Sequence, residues 1–349
     1  MEKISPKEFT SKILNGAAMG IVVGLIPNAI FGEIFKALSS YNEFFAMMQQ
    51  NVATISFTVP VLVGMFTALQ FKFSGVEAAS LMGATFIGGG SAKFVDGAWE
   101  LHGTGDLINI MIIAAVSVIA IRWYNNRVAN LGIVIIPIVG AMIPGLIGML
   151  TLPYVGYVTT GLGALIENFT TLQPLMMTIL IAISFALIIV TPLSSVAIAY
   201  AISLSGLASG AANVGIVATL FTLAYGSSKV NKKGTTFALF FAGPKMLMPN
   251  FLGNPIMILP IFINSIVTGI AGYIFKIQGT TASAGFGLTG LAGPINAYSF
   301  MTGSPIINIG ILLIQYLVVP LGIAIVTHTV FTKMGLYKDE IFTFAGENK

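Results

Sequence analysis

Two long stretches of this chain are almost free of charged side chains. Residues 128–228 contain Glu167 as their one formal charge, and residues 246–332 contain Lys276. Roughly a quarter of the residues of a soluble domain are charged, whereas only 8% are charged here. Because a water-exposed surface cannot be built from such stretches while lipid-facing helices can, the pattern predicts a polytopic α-helical membrane protein.

The apolar runs predict how many helices cross the membrane. About 20 apolar residues are needed for a helix to span the hydrocarbon core. We therefore expect an all-α transmembrane helix bundle of about eight to ten spans, with re-entrant hairpin segments. The clear candidates are residues 13–35, 46–71, 106–124, 131–152, 174–200, 253–275 and 306–331, and the weaker or interrupted ones are 75–90, 206–226, 235–250 and 282–300.

Basic residues flank the apolar runs, which is typical of cytoplasmic anchoring. This indicates cytoplasmic termini, and the polar residues 1–14 are expected to be retained because they lack the apolar core of a signal peptide. If every candidate crossed, the basic cluster at 229–233 would face outward, so one segment between 131 and 226 is expected not to cross fully. The region 206–226 is the best candidate for this segment, because it contains Gly206, Gly210 and Gly215. The clusters are Lys3, Lys7 and Lys12; Arg122 and Arg127; Lys229, Lys232 and Lys233; and Lys333, Lys338 and Lys349.

Three segments combine glycine or proline with apolar neighbours, which is typical of the broken helices that form solute sites in transporters. They are residues 86–91, 243–255 and 285–296. Proline removes a backbone donor and clashes with the preceding turn, so 243–255 cannot be one uninterrupted helix. For the second and third segments we favour re-entry over an external loop, because apolar residues surround the breakers. For 86–91, which is followed by the polar run 96–106, both alternatives stay open.

Neutral amides gather in the C-terminal third, where they are suited to hydrogen-bond a hydroxyl-rich solute in a low-dielectric site. Some of them are equally suited to cap helix ends or to bridge helices, and the one cation near the second broken segment could instead extend to the membrane interface. No catalytic residue, metal site or cofactor is expected, since cysteine is absent and the two histidines are isolated. The candidate substrate-binding residues are Lys245, Asn250, Asn254, Asn264 and Asn296.

Three glycines recur at four-residue spacing in the first candidate span. They are Gly16, Gly20 and Gly24. Small residues at this spacing let a second helix approach closely. The partner helix is expected either within the bundle or across a dimer interface.

The run Leu252-Gly253-Asn254-Pro255-Ile256, with the overall pattern of spans and breaks, resembles the membrane-embedded IIC component of the bacterial phosphoenolpyruvate-dependent sugar phosphotransferase system. The closer likeness is to the stand-alone IIC-like branch that includes the perfringolysin regulator-like membrane proteins. In sugar-transporting relatives, a glycine-isoleucine-threonine-glutamate-proline motif supplies a carboxylate to the sugar. Here Asn254 stands where that glutamate would, which leaves a neutral donor and acceptor.

The resemblance implies a homodimer in the bacterial cytoplasmic membrane. Residues 1–170 would form an N-terminal scaffold and dimer half, residues 171–332 a C-terminal substrate half, and residues 333–349 a cytoplasmic tail. No phosphoryl-carrier domain is expected in this chain, so phosphorylation would need separate cytoplasmic proteins. The implied partners are these carriers, a small polar solute and the lipid bilayer; nucleic acid is not expected.

The leading hypothesis is a permease subunit for a small polar solute, a sugar or polyol, that works by alternating access and has no catalytic residues of its own. A membrane sensor or regulator that keeps the transporter fold is the second hypothesis, motivated by the missing carboxylate. The third is an ion-coupled secondary transporter that uses Glu77 or Glu167, because carboxylates within membrane spans are functional candidates.

Overall fold

A computed structural model describes residues 4–125, 132–281 and 283–346. Lys3, Arg127 and Lys349, which belong to the basic clusters, lie outside these ranges. In the described ranges, seven helices are long and apolar enough to cross a membrane, and a shorter apolar helix spans Pro174–Ile188. The predicted all-α transmembrane bundle is confirmed. The seven are Pro6–Lys36, Glu43–Gln70, Leu107–Asn125, Gly132–Phe169, Gly206–Val230, Pro255–Ile274 and Pro305–Lys333.

The chain divides into two compact units, Met1–Tyr157 and Val158–Lys349. The roles expected for residues 1–170 and 171–332, a dimer half and a substrate half, stay predictions. The first unit contains helices α1 Pro6–Pro27, α2 Glu33–Leu38, α3 Glu43–Ala53, α4 Val59–Gln70, α5 Gly75–Gly88, α6 Leu107–Asn125, α7 Gly132–Pro137 and the start of α8 Ile143–Phe169, with strands β1 Ala92–Val95 and β2 Ala98–Leu101.

The glycine row of α1 packs directly on α4 within the first unit. A Cβ atom on Gly16 would lie 2.6 Å from the Cα of Thr67, and one on Gly20 would lie 2.6 Å from the Cα of Val63. Real Cβ atoms do not approach backbone so closely, so these positions need glycine for the two helices to touch. Of the two alternatives for this row, the structure shows contact inside the bundle.

Asn109 of α6 ties three helices of the first unit together. Its Nδ2 donates to the carbonyl oxygens of Gly88 at 2.6 Å and Gly148 at 2.8 Å, and its Oδ1 accepts from Thr151 Oγ1 at 2.7 Å. The side chain is fully buried and both of its polar atoms are bonded. A satisfied buried amide of this kind rigidifies the packing of the helices that it joins.

Residues 86–91, the first of the three glycine-containing segments, end α5 and lead into an exposed antiparallel β-hairpin. Asp96 and Gly97 both have positive φ, at 48° and 86°. An Asp-Gly pair between short alternating strands is the usual signal of a two-residue hairpin turn, and it was present in the sequence. Strands β1 and β2 are therefore a local exception to the all-α prediction.

The second unit is built around one buried helix, α11 Gly206–Val230. It packs against α9 Pro174–Ile188, α14 Ile258–Ile274 and α17 Val319–Lys333. Helix α12, Lys233–Ala242, follows α11, and segments that are not α-helical separate the remaining short helices. The helices are α9 Pro174–Ile188, α10 Ser195–Ala201, α11 Gly206–Val230, α12 Lys233–Ala242, α13 Met248–Gly253, α14 Ile258–Ile274, α15 Ala292–Phe300, α16 Pro305–Leu313 and α17 Val319–Lys333.

The interruption expected at 206–226 is wrong, because α11 is one continuous helix of 25 residues and is among the helices long and apolar enough to cross a membrane. Its glycines allow close packing: a Cβ on Gly215 would lie 2.7 Å from the Cα of Ala182. The interruption lies upstream, in the candidate span 174–200. Helix α9 stops after 15 residues, about 22 Å at 1.5 Å per residue, and so is shorter than the roughly 30 Å hydrocarbon core.

Replacing Gly20 by alanine should destabilise the first unit, because the added Cβ must push α1 away from α4. Overpacking of this kind typically costs about 1–3 kcal/mol. Thermal unfolding in detergent should show a lower midpoint for Gly20→Ala than for the wild type.

The matched control is Gly161→Ala in α8, where an added Cβ meets no atom of the described residues within 4 Å. That variant should unfold at or slightly above the wild-type midpoint, since alanine favours an exposed helix by roughly 0.5–1 kcal/mol. Equal midpoints for the two variants would contradict the close α1–α4 contact.

Candidate functional site

The first part of the candidate site is a break in the chain between α9 and α10. Residues 189–194 are non-helical and include Pro192, which cannot donate a backbone hydrogen bond. Ser194 then starts α10, because its hydroxyl accepts from the backbone N–H of Ala197 at 3.1 Å. The carbonyl groups in the break have lost their helical partners and need others.

Lys245, in the second predicted broken segment, bonds these carbonyl groups. Its Nζ donates to the carbonyl oxygens of Thr191 and Leu193. The lysine is 8% exposed and lies in a 3₁₀ turn, Pro244–Leu247, whose residues are all buried. Gly243, just before the turn, has φ 76°, a left-handed conformation that glycine adopts without steric strain.

The glycine-rich third segment reaches the same break from its other end. Ser195 Oγ donates to the carbonyl oxygen of Gly285 at 2.8 Å. A Cβ on Gly285 would lie 2.8 Å from the carbonyl carbon of Ser195, so the backbones touch. The next glycine, Gly287, donates its backbone N–H to Asn213 Oδ1 on α11 at 3.0 Å.

Three interrupted segments thus converge within the second unit. We call this place the junction and define it by residues 191–195, 243–247 and 285–287, together with Asn213 and, beside the glycine-rich segment, Tyr316. Its hydrogen bonds join residues 54, 90 and 74 positions apart. Unwound backbone meeting helix ends inside a protein is the arrangement that transporters use to hold solutes.

Polar atoms without a partner lie at the junction. Asn213 Nδ2 and the hydroxyl of Tyr316 are buried without a hydrogen-bond partner in the described chain. The ring of Tyr316 lies beside the glycine-rich segment, since a Cβ on Gly293 would be 3.1 Å from its Cε1. Because buried polar groups in proteins are nearly always hydrogen-bonded, these atoms have bonding capacity for water or a solute.

Asn264 serves helix packing in this structure. Its Nδ2 donates to Thr222 Oγ1 at 2.9 Å and to the carbonyl oxygens of Pro320 at 2.9 Å and Ala218 at 3.2 Å. It therefore bridges α11, α14 and α17, which is the helix-bridging role that the sequence analysis gives as the alternative to solute binding for some amides. Its Oδ1 is buried and unpartnered among the described residues.

Asn296 contacts the loop that precedes α15 and not the junction atoms. Its Oδ1 accepts from Thr280 Oγ1 at 2.8 Å, and its Nδ2 donates to the carbonyl oxygen of Ala292 at 3.1 Å. Asn254 is half-buried and donates to the carbonyl oxygen of Asn250 at 2.9 Å. Of the five candidates, Lys245 alone bonds to another junction segment in the described chain, and the substrate roles of all five stay predictions.

Asn250 fastens the C-terminal segment to the broken helix. Its Nδ2 donates to the carbonyl oxygens of Ile341 and Thr343, both at 2.8 Å. Asn231, which directly follows α11, donates to the carbonyl oxygen of Phe342 at 2.8 Å and accepts from the backbone N–H of Phe344 at 2.9 Å. Part of the expected tail 333–349 is therefore packed on the second unit.

Two aromatic residues support this C-terminal segment. Phe342 is 1% exposed, and its ring contacts that of His328 at a tilt and that of Tyr337 edge to face. Burial, and then the neighbouring Asp339 carboxylate, raise the pKa of Tyr337 to about 12. The phenol is therefore neutral at physiological pH, as its packed position requires.

Ser195, Asn213 and Tyr316 are junction residues that the sequence analysis did not select. A sequence signal existed for the break, because Thr191, Pro192, Ser194 and Ser195 interrupt an apolar run. Asn213 is an amide within an apolar run, the signal by which Asn264 was selected, but it lies before the C-terminal third, and no local signal distinguished Tyr316. Their proximity to the glycine-rich segment is a consequence of tertiary packing.

The fold and the junction define a class, namely multi-pass helical membrane proteins with broken helices that meet at an interior polar site. A family model described as phosphotransferase system, EIIC, matches residues 11–344. The chain belongs to this family and is a membrane permease of the sugar-transporting phosphotransferase system. No curated protein matches the chain. The predicted IIC resemblance is confirmed, whereas membership of the stand-alone branch stays a prediction.

Replacing Asn250 by leucine should loosen the C-terminal segment, because the carbonyl groups of Ile341 and Thr343 lose their donor. Two hydrogen bonds of this kind contribute about 1–3 kcal/mol together. Hydrogen exchange of residues 341–344, measured by mass spectrometry, should accelerate about tenfold or more.

Asn254→Leu is the control, since that amide bonds only within its own broken segment among the described contacts. It should leave exchange of residues 341–344 unchanged. If both variants accelerate exchange equally, general loosening of the broken segment replaces a specific role for Asn250.

Proposed function

We propose that this chain is a IIC-type permease for a small polar solute, a sugar or a polyol, which binds at the junction and moves by alternating access. The second unit carries the solute and the first unit serves as a scaffold. The observation that carries the proposal is the convergence of three interrupted segments, bonded by Lys245 and Ser195, in the interior of the second unit.

The bonding capacity of the junction suits a hydroxylic solute. An ammonium group has three donors, and two of those of Lys245 bond to the break. The third N–H of Lys245 and the Nδ2 group of Asn213 are then available as donors. The Tyr316 hydroxyl is available both as a donor and as an acceptor. Sugars and polyols present hydroxyl groups that match such a mixed set, because each hydroxyl both donates and accepts.

Asn254 supports a neutral recognition chemistry in place of the carboxylate of sugar-transporting relatives. Its amide donates to the Asn250 carbonyl, which leaves the Oδ1 atom as an acceptor. A neutral acceptor would bind a hydroxyl more weakly than a carboxylate does. Phosphorylation of the solute would be carried out by separate cytoplasmic carrier proteins, and the chain would act as a homodimer in the bacterial cytoplasmic membrane with both termini in the cytoplasm.

The second candidate is a membrane sensor that keeps the permease fold without net transport. Two features favour it: the resemblance puts Asn254 where sugar-transporting relatives carry a carboxylate, and Asn250 holds the broken segment against the C-terminal segment. Deletion of the gene should then change the expression of other genes and leave solute uptake intact. A primary defect in uptake would support the permease instead.

The ion-coupled alternative receives less support from the carboxylates that motivate it. Glu77 lies in the first turn of α5, where its oxygens accept from the backbone N–H of the N-cap residue Ser74 and from Asn125 Nδ2. Its contacts are those of a helix cap. Glu167 is exposed near the end of α8, and neither carboxylate belongs to the junction as defined.

Two substitutions test the junction in different ways. Tyr316→Phe removes a hydroxyl that has no described partner, so it should leave thermal stability unchanged. Lys245→Met removes the donor of the break. Both should lower solute-induced thermal stabilisation and uptake into proteoliposomes. For Lys245→Met the affinity for the solute should fall about tenfold or more, since a hydrogen bond from a charged group contributes about 1.5–3 kcal/mol.

The matched controls are Lys276→Met and Tyr154→Phe, which alter an exposed cation and an exposed phenol. Both should retain the wild-type response. The probe is a panel of sugars, polyols and organic acids applied to the purified protein. Absence of any response of the wild type to the whole panel would refute the permease proposal.

Asn254→Glu tests whether recognition at this position is neutral. A carboxylate there would face the carbonyl oxygen of Asn250 without a donor between them, and the position is exposed enough to accept the longer side chain. We expect weaker binding of the native solute and a slightly lower unfolding midpoint of the free protein, because the bond to the Asn250 carbonyl is lost. Tighter sugar binding by this variant would show that a carboxylate is sufficient at this position and that the native site has lost it.

A further inference from the structure

The β-hairpin between α5 and α6 presents two chemically different faces. Its register pairs Ala92 with Leu101 and Phe94 with Trp99 on one face, whereas Lys93 pairs with Glu100 on the other. Cross-strand partners project to the same side of a two-stranded sheet. One face is therefore apolar and aromatic, and the other carries charges of both signs beside the smaller Val95–Ala98 pair.

The apolar face is uncovered in the folded chain. Trp99 is 73% exposed, Phe94 is 62% exposed and Leu101 is 51% exposed. The rings of Phe94 and Trp99 contact each other edge to face, with centroids 5.3 Å apart. These three side chains form a continuous strip, which we call the hairpin strip.

The base of the hairpin is fixed to the ends of two helices of the first unit. The backbone N–H of His102 donates to the carbonyl oxygen of Ser91 at 2.6 Å, and that of Asp106 donates to the carbonyl oxygen of Gly89 at 2.8 Å. Helix α6, a membrane-spanning candidate, begins at Leu107. The hairpin is thus held at the end of a span, at the end opposite Arg122.

We propose that the hairpin strip is a membrane anchor whose side chains insert into the interfacial region of the lipid bilayer beside the start of α6. Tryptophan is enriched at this depth, where its apolar ring and its polar N–H are both accommodated, and the Phe94 ring beside it adds apolar area. The strands have four residues each, about 13 Å at 3.3 Å per residue. A hairpin of this length reaches the interfacial layer when its base lies at the end of a span.

The opposite face fits the aqueous side of the same interface. Lys93 and Glu100 lie opposite each other, and His102 Nε2 is 3.3 Å from Glu100 Oε2. These side chains are hydrated most favourably when the hairpin lies with its apolar strip toward the lipid. Segregation of charge from aromatic surface is the pattern of elements that lie in a membrane interface.

The size of the strip favours lipid over a second protein chain. Two aromatic side chains of roughly 150–250 Å² each, partly exposed, and one leucine supply on the order of 400 Å². A stable protein interface buries about 800 Å² per partner. The strip is therefore too small to hold a partner chain by itself, whereas a lipid interface needs no minimum area.

The chain offers a direct spectroscopic test, because it has two tryptophans. Trp123→Phe leaves Trp99 as the single fluorophore in the full-length protein, which is reconstituted into vesicles of ordinary or brominated phosphatidylcholine. We expect a blue-shifted emission and loss of emission in vesicles brominated near the headgroup, greater than in vesicles brominated near the chain end. Aqueous iodide should quench weakly.

The variant Trp99→Phe, which leaves Trp123 in the last turn of α6, is the positive control for a tryptophan on a membrane-spanning helix. Emission of Trp99 like that of the unfolded protein, with strong iodide quenching and no effect of bromine, would overturn the proposal. Protection from both quenchers would also overturn it, since the strip would then be covered by protein. Lys93→Gln should leave bromine quenching of Trp99 unchanged.

Discussion

Every backbone group buried away from water must find an internal hydrogen-bond partner, and this constraint governs the polar residues of the second unit. Where α9 ends, the carbonyl groups of Thr191 and Leu193 lose their helical partners and receive the ammonium group of Lys245. The glycine-rich segment is bonded in the same way, with Ser195 donating to Gly285 and Asn213 accepting from Gly287. The broken helices are therefore held by side chains from distant parts of the chain. Because those side chains define where the breaks meet, they also define the candidate solute site.

The two units use their buried amides differently. In the first unit Asn109 bonds through both of its polar atoms and closes a contact among three helices. In the second unit Asn213 and Asn264 each have one bonded and one unpartnered atom in the described chain. A satisfied amide stabilises one packing arrangement, whereas a half-satisfied one retains capacity for a further partner. This difference supports the proposal that the first unit is a scaffold and the second unit binds the solute.

Glycine in an apolar helix has two physical meanings that a sequence pattern does not separate. In the region 206–226 it predicted an interruption, yet Gly215 lies in a continuous helix and lets α11 touch the backbone of Ala182. In the region 285–296 the same residue type does break the helix, because Gly285 and Gly287 adopt positive φ values of 88° and 62°. Only the neighbouring backbone decides between close packing and a break. The Asp96-Gly97 turn was readable locally, and the hairpin shows that a short polar insertion between spans can fold independently of the bundle.

The amino-acid sequence by itself determined the membrane location, the all-α bundle and the proline-containing break at 243–255. These features depend on local properties, namely hydropathy over a span and the missing backbone donor of proline, so they need no knowledge of distant neighbours. The resemblance to the IIC family was readable for the same reason, as a pattern along the chain. Only the tertiary structure decided which partner each polar side chain has. Lys245 bonds a break 54 residues away, and Asn250 bonds a segment 91 residues away. An amide in an apolar run is compatible with helix bridging, capping or solute binding, and the choice depends on which backbone groups the folded chain leaves without partners.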